Sequence, residues 1–218
     1  MKLAVYGTGG SGLEMLELVV YCVGLEGHWD ELMFIDDTKD PGEFHGYQMF
    51  PFEDFSKRFS IDDVEVSIAV GEPAIRKVLY DKVVNKGYRL ATIIHPTAVV
   101  SPTATLGQGV VLQDNVSVSA GANIGENVYV NGITLIGHGV EIGEHCQISS
   151  HVVIAGNTKV GPGVYIGISA CVRDHIEIGE NAIIAMGAVV MKSVHPGRTV
   201  MGNPAREIAE NKDHKVFK

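Results

Sequence analysis

The chain is poor in cysteine, tryptophan and cationic side chains. Its 218 residues include 3 Cys and 1 Trp, and only 7% are aromatic. Cys22, Cys146 and Cys171 are an odd, scattered set with neither disulfide-framework nor metal-ligand spacing, which fits a reducing, cytoplasmic compartment better than secretion. Lys plus Arg number 17 against 26 Asp plus Glu, a net charge of −9. Such a chain repels phosphate backbones, so nucleic acid is not an expected partner. The start, Met1 to Gly7, has no long apolar run, so neither a signal peptide nor a membrane anchor is expected. There is no G-x-S-x-G elbow and no assignable serine triad, so the chemistry should need one base and no covalent intermediate. What the chain does have is a core's worth of apolar residues, 45%, and 26 glycines.

The second half is a repeat. From Ile94 to Val190 every sixth residue is Ile, Leu or Val, without a break. Two positions earlier stands a small or β-branched residue (Ala98, Val110, Val128, Cys146), and Gly often follows. A period of six fits no helix. It fits a short strand with two inward side chains and a tight corner, stacked into a prism filled by aliphatics. Cys146 is then core, and Cys171 faces out.

Residues 1–90 read differently. A buried strand, Lys2–Tyr6, runs into Gly7-Thr8-Gly9-Gly10-Ser11-Gly12 and then a helix from Leu13 to Val20. That arrangement offers bare amides and a helix dipole to a pyrophosphate. A second strand, Leu32–Ile35, ends in Asp36-Asp37, at the distance where an acidic residue meets a ribose. A third ends at Gly71, a helix follows from Pro73 to about Asn85, and Tyr88–Ile93 reads as a fourth strand entering the prism. Ninety residues leave no room for a full dinucleotide fold, so a nucleotide-sugar diphosphate suits the unit better than a nicotinamide.

His138 is the candidate base. It faces outward between Gly137 and Gly139, which clear space around an imidazole suited to proton removal near neutrality. His138, His145 and His151 are seven and six residues apart, so they fall on successive sides of a coil and no metal site is expected. His95 and His195, each before a proline, read as corner residues. Because the register never breaks, no inserted loop covers His138, and a second wall must come from a threefold-related copy: a homotrimer. The outward positions are too irregular for an ice-binding prism.

These residues carry a resemblance. The hexapeptides resemble the left-handed parallel β-helix, three-sided with 18 residues per coil. Together with Tyr6–Gly12, Phe34–Asp37, Ala69–Gly71, Asn131, Ile136–His138, Ala155–Asn157, Gly167–Val172 and Gly202–Arg206, the chain resembles the bacterial hexapeptide-repeat sugar acyltransferases. That group includes the bacillosamine-type UDP-amino-sugar and GDP-perosamine N-acetyltransferases and the sialic acid O-acetyltransferases. The resemblance implies a Rossmann-like α/β domain at 1–90 for a nucleotide-activated sugar, a left-handed β-helix at 91–200 and a C-terminal tail at 201–218, read as a short polar helix. It implies acetyl-CoA as co-substrate and direct transfer to the 4-amino group of a 4-amino-4,6-dideoxy sugar, in bacterial glycan synthesis; O-acetylation is the alternative. Gly9, Gly10, Ser11, Asp36, Asp37 and Gly71 would hold the nucleotide sugar. His138 would be the base, and Asn131 would stand beside the amine. Gln147, Gly156, Ile168 and Met186 would meet acetyl-CoA. Three positions depart from the pattern: Gly139 where an acid follows the His, Gln147 where a second His stands, and Ser11 where relatives carry His. Glu141 is near Gly139 but need not face the imidazole.

Overall fold

In the computed structural model, which describes residues 1–24 and 28–217, the N-terminal strands form one six-stranded sheet. Its order is β3 (Gly42–Phe44), β4 (Tyr47–Phe50), β2 (Glu31–Ile35), β1 (Lys2–Tyr6), β5 (Val64–Ile68), β6 (Arg89–Leu90), and every pair is parallel except β3 with β4. Alternation along β1 sends Leu3 and Val5 to one side and Ala4 and Tyr6 to the other. On the first side lies α1 (Gly10–Glu17), which continues through a π-helical turn, Leu18–Val23, packing Met15, Leu16 and Val19. On the second lie α2 (Phe52–Arg58) and α3 (Pro73–Asn85), packing Phe52, Phe55 and Val83. Burial on both faces is why the central strands are apolar throughout instead of alternating with polar residues.

The fourth expected strand divides. Ala91 N–H still donates to Val66 of the sheet, whereas Ile93 N–H donates to Val110 of the prism. Ile93–Ile94 is therefore the first rung of the prism, β7. From β7 to β23 (Val189–Val190), two-residue strands stack in three parallel sheets, each rung pairing with the one 18 residues on, as Val111 pairs with Ile93 and Tyr129. The first face carries β7, β10 and every third rung after, the second starts at β8 and the third at β9. Ile142, Ile148 and Ile154, with Val140, Cys146 and Val152, fill the interior as the period of six requires. Burial among these aliphatics pushes the Cys146 thiol up to about 12, so it is an inert core group.

The corners explain three histidines. The second corner residue of each turn has a left-handed backbone: Asn115, Asn127, His145, His151, Asn157 and His175 have φ of 53–63°. Asn and His tolerate that region better than most residues. His138 is not among them. It occupies the preceding corner position, and Gly139 takes the left-handed one at φ 64°.

The two bodies share a dry seam. The outward residues of the lower first face, Ile93, Val111 and Tyr129, are buried in the same cluster as Leu3, Val5, Met15 and Leu18. At its edge Arg76 of α3 is fully buried without a carboxylate partner. Its five N–H donors all find acceptors: Nη1 donates to Ile68 O and Val70 O at 2.9 and 3.0 Å, Nη2 to Asn127 O and Oδ1 at 2.7 and 2.8 Å, and Nε to Asn127 O at 3.1 Å. Asn127 Nδ2 returns a bond to Arg76 O, and the guanidinium lies 5.4 Å from the Tyr129 ring. Burial lowers its pKa to about 10, so it stays charged at neutrality.

The tail is not a helix. β24 (Arg198–Met201) extends the first face, and β25 (Arg206–Glu210) folds back antiparallel on it. An edge strand with unpaired carbonyls and amides is a better partner for these residues than solvent is for an isolated helical turn. Beyond the hairpin, Val216 and Phe217 N–H donate to the Glu72 carboxylate, and the Phe217 ring meets Tyr165 edge-on at 5.5 Å.

Arg76→Ala would leave four buried acceptors without donors, each costing about 1–3 kcal/mol. Chemical denaturation is expected to show a loss of at least about 3 kcal/mol. A loss below about 1 kcal/mol would mean that water or a neighbour replaces the fork.

Candidate active site

Gly9, Gly10, Ser11, Asp36, Asp37 and Gly71 line a single cavity of about 370 Å³, together with Tyr6, Thr8, Ile75 and Leu79. The glycines divide by purpose. A Cβ on Gly12 would come within 2.3 Å of Gly7 O, and one on Gly7 within 2.6 Å of Ala69 O, so these two allow helix and strand to close up. A Cβ on Gly9 or Gly10 would meet nothing within 4 Å: they leave the cavity open where α1 begins. The cap residue, Gly9, has no side-chain cap, and the first amides of α1 have no intrahelical acceptor, which makes this end attractive to an anion.

Asp36 and Asp37 are held by the chain's own donors. Asp36 accepts from Thr38 N and Oγ1 at 2.9 and 2.6 Å and from the Thr8 hydroxyl, with Lys39 nearby. Asp37 accepts from Phe52 N at 2.8 Å, from Lys82 and from the Tyr6 hydroxyl. Burial alone would raise both carboxyls, but these hydrogen bonds outweigh it and hold both below the usual range. Both are therefore anionic at neutral pH, with lone pairs left for ribose or base donors. Sequence reading did not find Tyr6, Thr8 or Lys82 because their roles come from cross-strand neighbours.

The remaining expected residues fall at two corners of the prism. His138 and Gly156 stack 18 residues apart where the second face meets the third. His138 is exposed and has no hydrogen-bond partner among the described residues. A Cβ on Gly156 would come within 2.5 Å of its Cε1 and Nε2, so the imidazole lies directly on bare backbone. The Gly156 amide, like the other amides at this corner position, donates to no chain acceptor. Gly139 likewise makes room, for Asn157 Oδ1. Glu141 is engaged elsewhere, 3.7 Å from Lys159 on the third face.

Asn131, Ile168 and Met186 lie where the first face meets the second. Buried Gln147 donates to Asn131 Oδ1 at 2.6 Å, and Asn131 Nδ2 reaches Glu14 Oε2 of α1 at 3.5 Å. Ile168 and Met186 are exposed, stacked 18 residues apart. Asn131 and His138 are thus separated by the width of the second face, roughly 15–20 Å for six near-extended residues. One chain does not bring them together.

Comparison with known proteins agrees with this architecture. Residues 2–83 match the PglD N-terminal domain family, and residues 121–156 and 157–192 match the bacterial transferase hexapeptide (six repeats) family. The acetyltransferase domain of PglB from Neisseria gonorrhoeae FA1090 is 32% identical with a TM-score of 0.88, over 95% of this chain and 99% of that one. That domain is also known in complex with acetyl coenzyme A. WeeI from Acinetobacter baumannii AYE is 28% identical with a TM-score of 0.86, over 95% of this chain and 100% of that one. The GDP-perosamine N-acetyltransferase of Escherichia coli O157:H7 is 29% identical over 128 residues, 58% of this chain and 58% of that protein. The fold is thus a Rossmann-like α/β domain on a left-handed parallel β-helix. The chain belongs to the hexapeptide-repeat sugar acyltransferases with a PglD-type N-terminal domain.

Gly156→Ala tests the seat of the imidazole. The added methyl is expected to displace the His138 ring, read as a shift of its side-chain resonances in nitrogen-edited NMR with the backbone spectrum of the prism otherwise preserved. An unmoved imidazole would mean that the backbone yields instead.

Proposed function

We propose that the protein is an acetyl-CoA-dependent N-acetyltransferase acting on the 4-amino group of a nucleotide-linked 4-amino-4,6-dideoxy sugar, with His138 as general base. The observation that carries this reading is the setting of His138: an exposed imidazole, seated on the Gly156 backbone, with both nitrogens free of its own chain. The cavity at the start of α1 takes the nucleotide diphosphate, with its amides toward phosphate and the two aspartates toward the nucleoside. The sugar's amine attacks the thioester carbonyl: the C–N bond forms, the C–S bond breaks, and CoA leaves as the thiolate. His138 removes the amine's proton and can return it to that sulfur. The Gly156 amide is free to steady the developing oxyanion. Ile168 and Met186 offer an exposed apolar edge, and Gln147 a polar one, to acetyl-CoA.

A homotrimer completes the site. The first face is covered below by the N-terminal domain, and the third carries Thr105, Asn123, Glu141, Lys159 and Glu177 outward. The second carries Val99, Leu135, Val153 and Cys171, all exposed in one chain. An apolar face between the Asn131 and His138 corners suits a second copy, which would set His138 of one chain against Asn131 of the next. Three unpaired cysteines suit a cytoplasmic setting. Among the described residues no helix is long and apolar enough to cross a membrane.

His138→Ala is expected to cut turnover about 10²–10⁴-fold in a mass-spectrometric assay with acetyl-CoA and UDP-, GDP- or dTDP-linked 4-amino sugars. Unchanged turnover would remove His138 from the mechanism. Leu135→Glu buries a charge in the expected interface. Sedimentation should show trimers for the parent chain and monomers for the variant, with transfer lost alongside. A monomeric parent that still transfers acetyl would overturn the shared site.

A further inference from the structure

A second cavity, also about 370 Å³, lies where α1 crosses the corner of the first and second faces. α1 contributes Glu14, Glu17 and Leu18, and the prism contributes Asp114, Asn131 and Ile133. Three features set it apart from the nucleotide cavity. Its carboxylates have no Lys or Arg partner among the described residues, and its one lining imidazole, His95, is turned toward Thr97. Burial raises the Glu14 carboxyl, Asn131 opposes that, and Glu17 adds to it, leaving Glu14 above its usual range. Ile133 is the one β-branched residue among the left-handed corner positions, at φ 60°, and its side chain is 60% exposed. That conformation is strained for Ile, and Asn or Gly would relieve it.

The cavity's place on α1 relates it to the first. Gly10 and Glu14 are four residues apart and share a helix face, about 6 Å along the axis. Across a pyranose, from the carbon bearing the diphosphate to C4, the span is comparable. A sugar whose diphosphate sits at the start of α1 therefore brings its C4 substituent to Glu14 and Asn131. An unpaired carboxylate there favours an ammonium, gains little from a hydroxyl, and repels an acidic sugar.

On the reading that the substrate is a nucleotide-linked amino sugar, we propose that Glu14 and Ile133 are specificity-determining residues of the acceptor subsite. Glu14 binds the substrate's amine as the ammonium ion, which delivers it beside Asn131 before the proton is removed. Ile133 supplies an apolar wall for the methyl group on the neighbouring ring carbon, which accounts for a strained isoleucine at a corner where polar residues or glycine serve elsewhere.

The test uses the full-length protein. Binding of a nucleotide-linked 4-amino-4,6-dideoxy sugar and of its 4-hydroxy counterpart is measured by calorimetry for the parent chain, Glu14→Gln and Ile133→Gly, with steady-state kinetics on the amine. Glu14→Gln should weaken the amino ligand roughly 10–100-fold, as KM more than kcat, and leave the hydroxy ligand within about twofold. Ile133→Gly should keep or raise the thermal midpoint while reducing the preference for a methyl over a hydroxymethyl at the neighbouring carbon. Equal loss of both ligands, or of neither, overturns the role of Glu14, and a retained methyl preference overturns that of Ile133. If the parent chain acetylates no nucleotide-linked amino sugar, the functional reading itself fails, a result distinct from these.

Discussion

The position of every functional group depends on one buried cation. Arg76 ties the end of β5, at Ile68 and Val70, to the prism corner at Asn127. Val70 adjoins Gly71 on the wall of the nucleotide cavity. The guanidinium therefore fixes where that cavity opens relative to the prism. Carbonyl acceptors alone compensate its desolvation, so the arrangement tolerates little displacement: a shift of an ångström would break several of five bonds at once. A lysine, with three donors on a flexible stem, does not reproduce the planar fork. An apolar seam alone could let one body slide on the other, and the fork removes that freedom.

The prism solves a different problem. Its interior asks only for aliphatic residues two apart, which leaves corners free to vary. Most corners are spent on backbone geometry: asparagine, glycine and histidine occupy left-handed positions. His145 shows how far that goes, since its ring lies against Tyr80, its Nδ1 faces Asn127 Nδ2, and burial lowers its pKa. His138 has the opposite surroundings, an ordinary corner and a glycine beneath it. Two histidines seven residues apart thus have unrelated roles, decided by which corner position each occupies.

Periodicity made the prism legible because each rung repeats the same constraint, and a signal present seventeen times cannot be mistaken for local propensity. The Gly7–Gly12 turn and Asp36-Asp37 were legible for a similar reason: strand, turn and helix follow one another locally. The small strands β3 and β4, helix α2 and the C-terminal hairpin were not, because they are short and exist by pairing with edges supplied from elsewhere in the chain. Arg76 and Glu14 were invisible for the same cause. Each is an ordinary charged residue on a helix until the fold places Asn127 or Asn131 against it, 51 and 117 residues away in sequence. The apolar column Val99, Leu135, Val153 lies between these extremes: it emerges once the period is taken as 18 instead of six.

Charge separates the two cavities in a way that bears on chemistry. At the nucleotide cavity, helix amides and Lys39 and Lys82 offset Asp36 and Asp37. At the second cavity the carboxylates stand without such an offset. An anionic diphosphate therefore gains from the first and is repelled from the second, while a cation has the reverse preference. A nucleotide-linked amino sugar carries both charges, one at each end of the sugar, so only one orientation along α1 satisfies both. The absence of an acidic residue at position 139 is then less severe for the mechanism: a substrate oriented by its own two charges needs less help from the base that finally takes its proton.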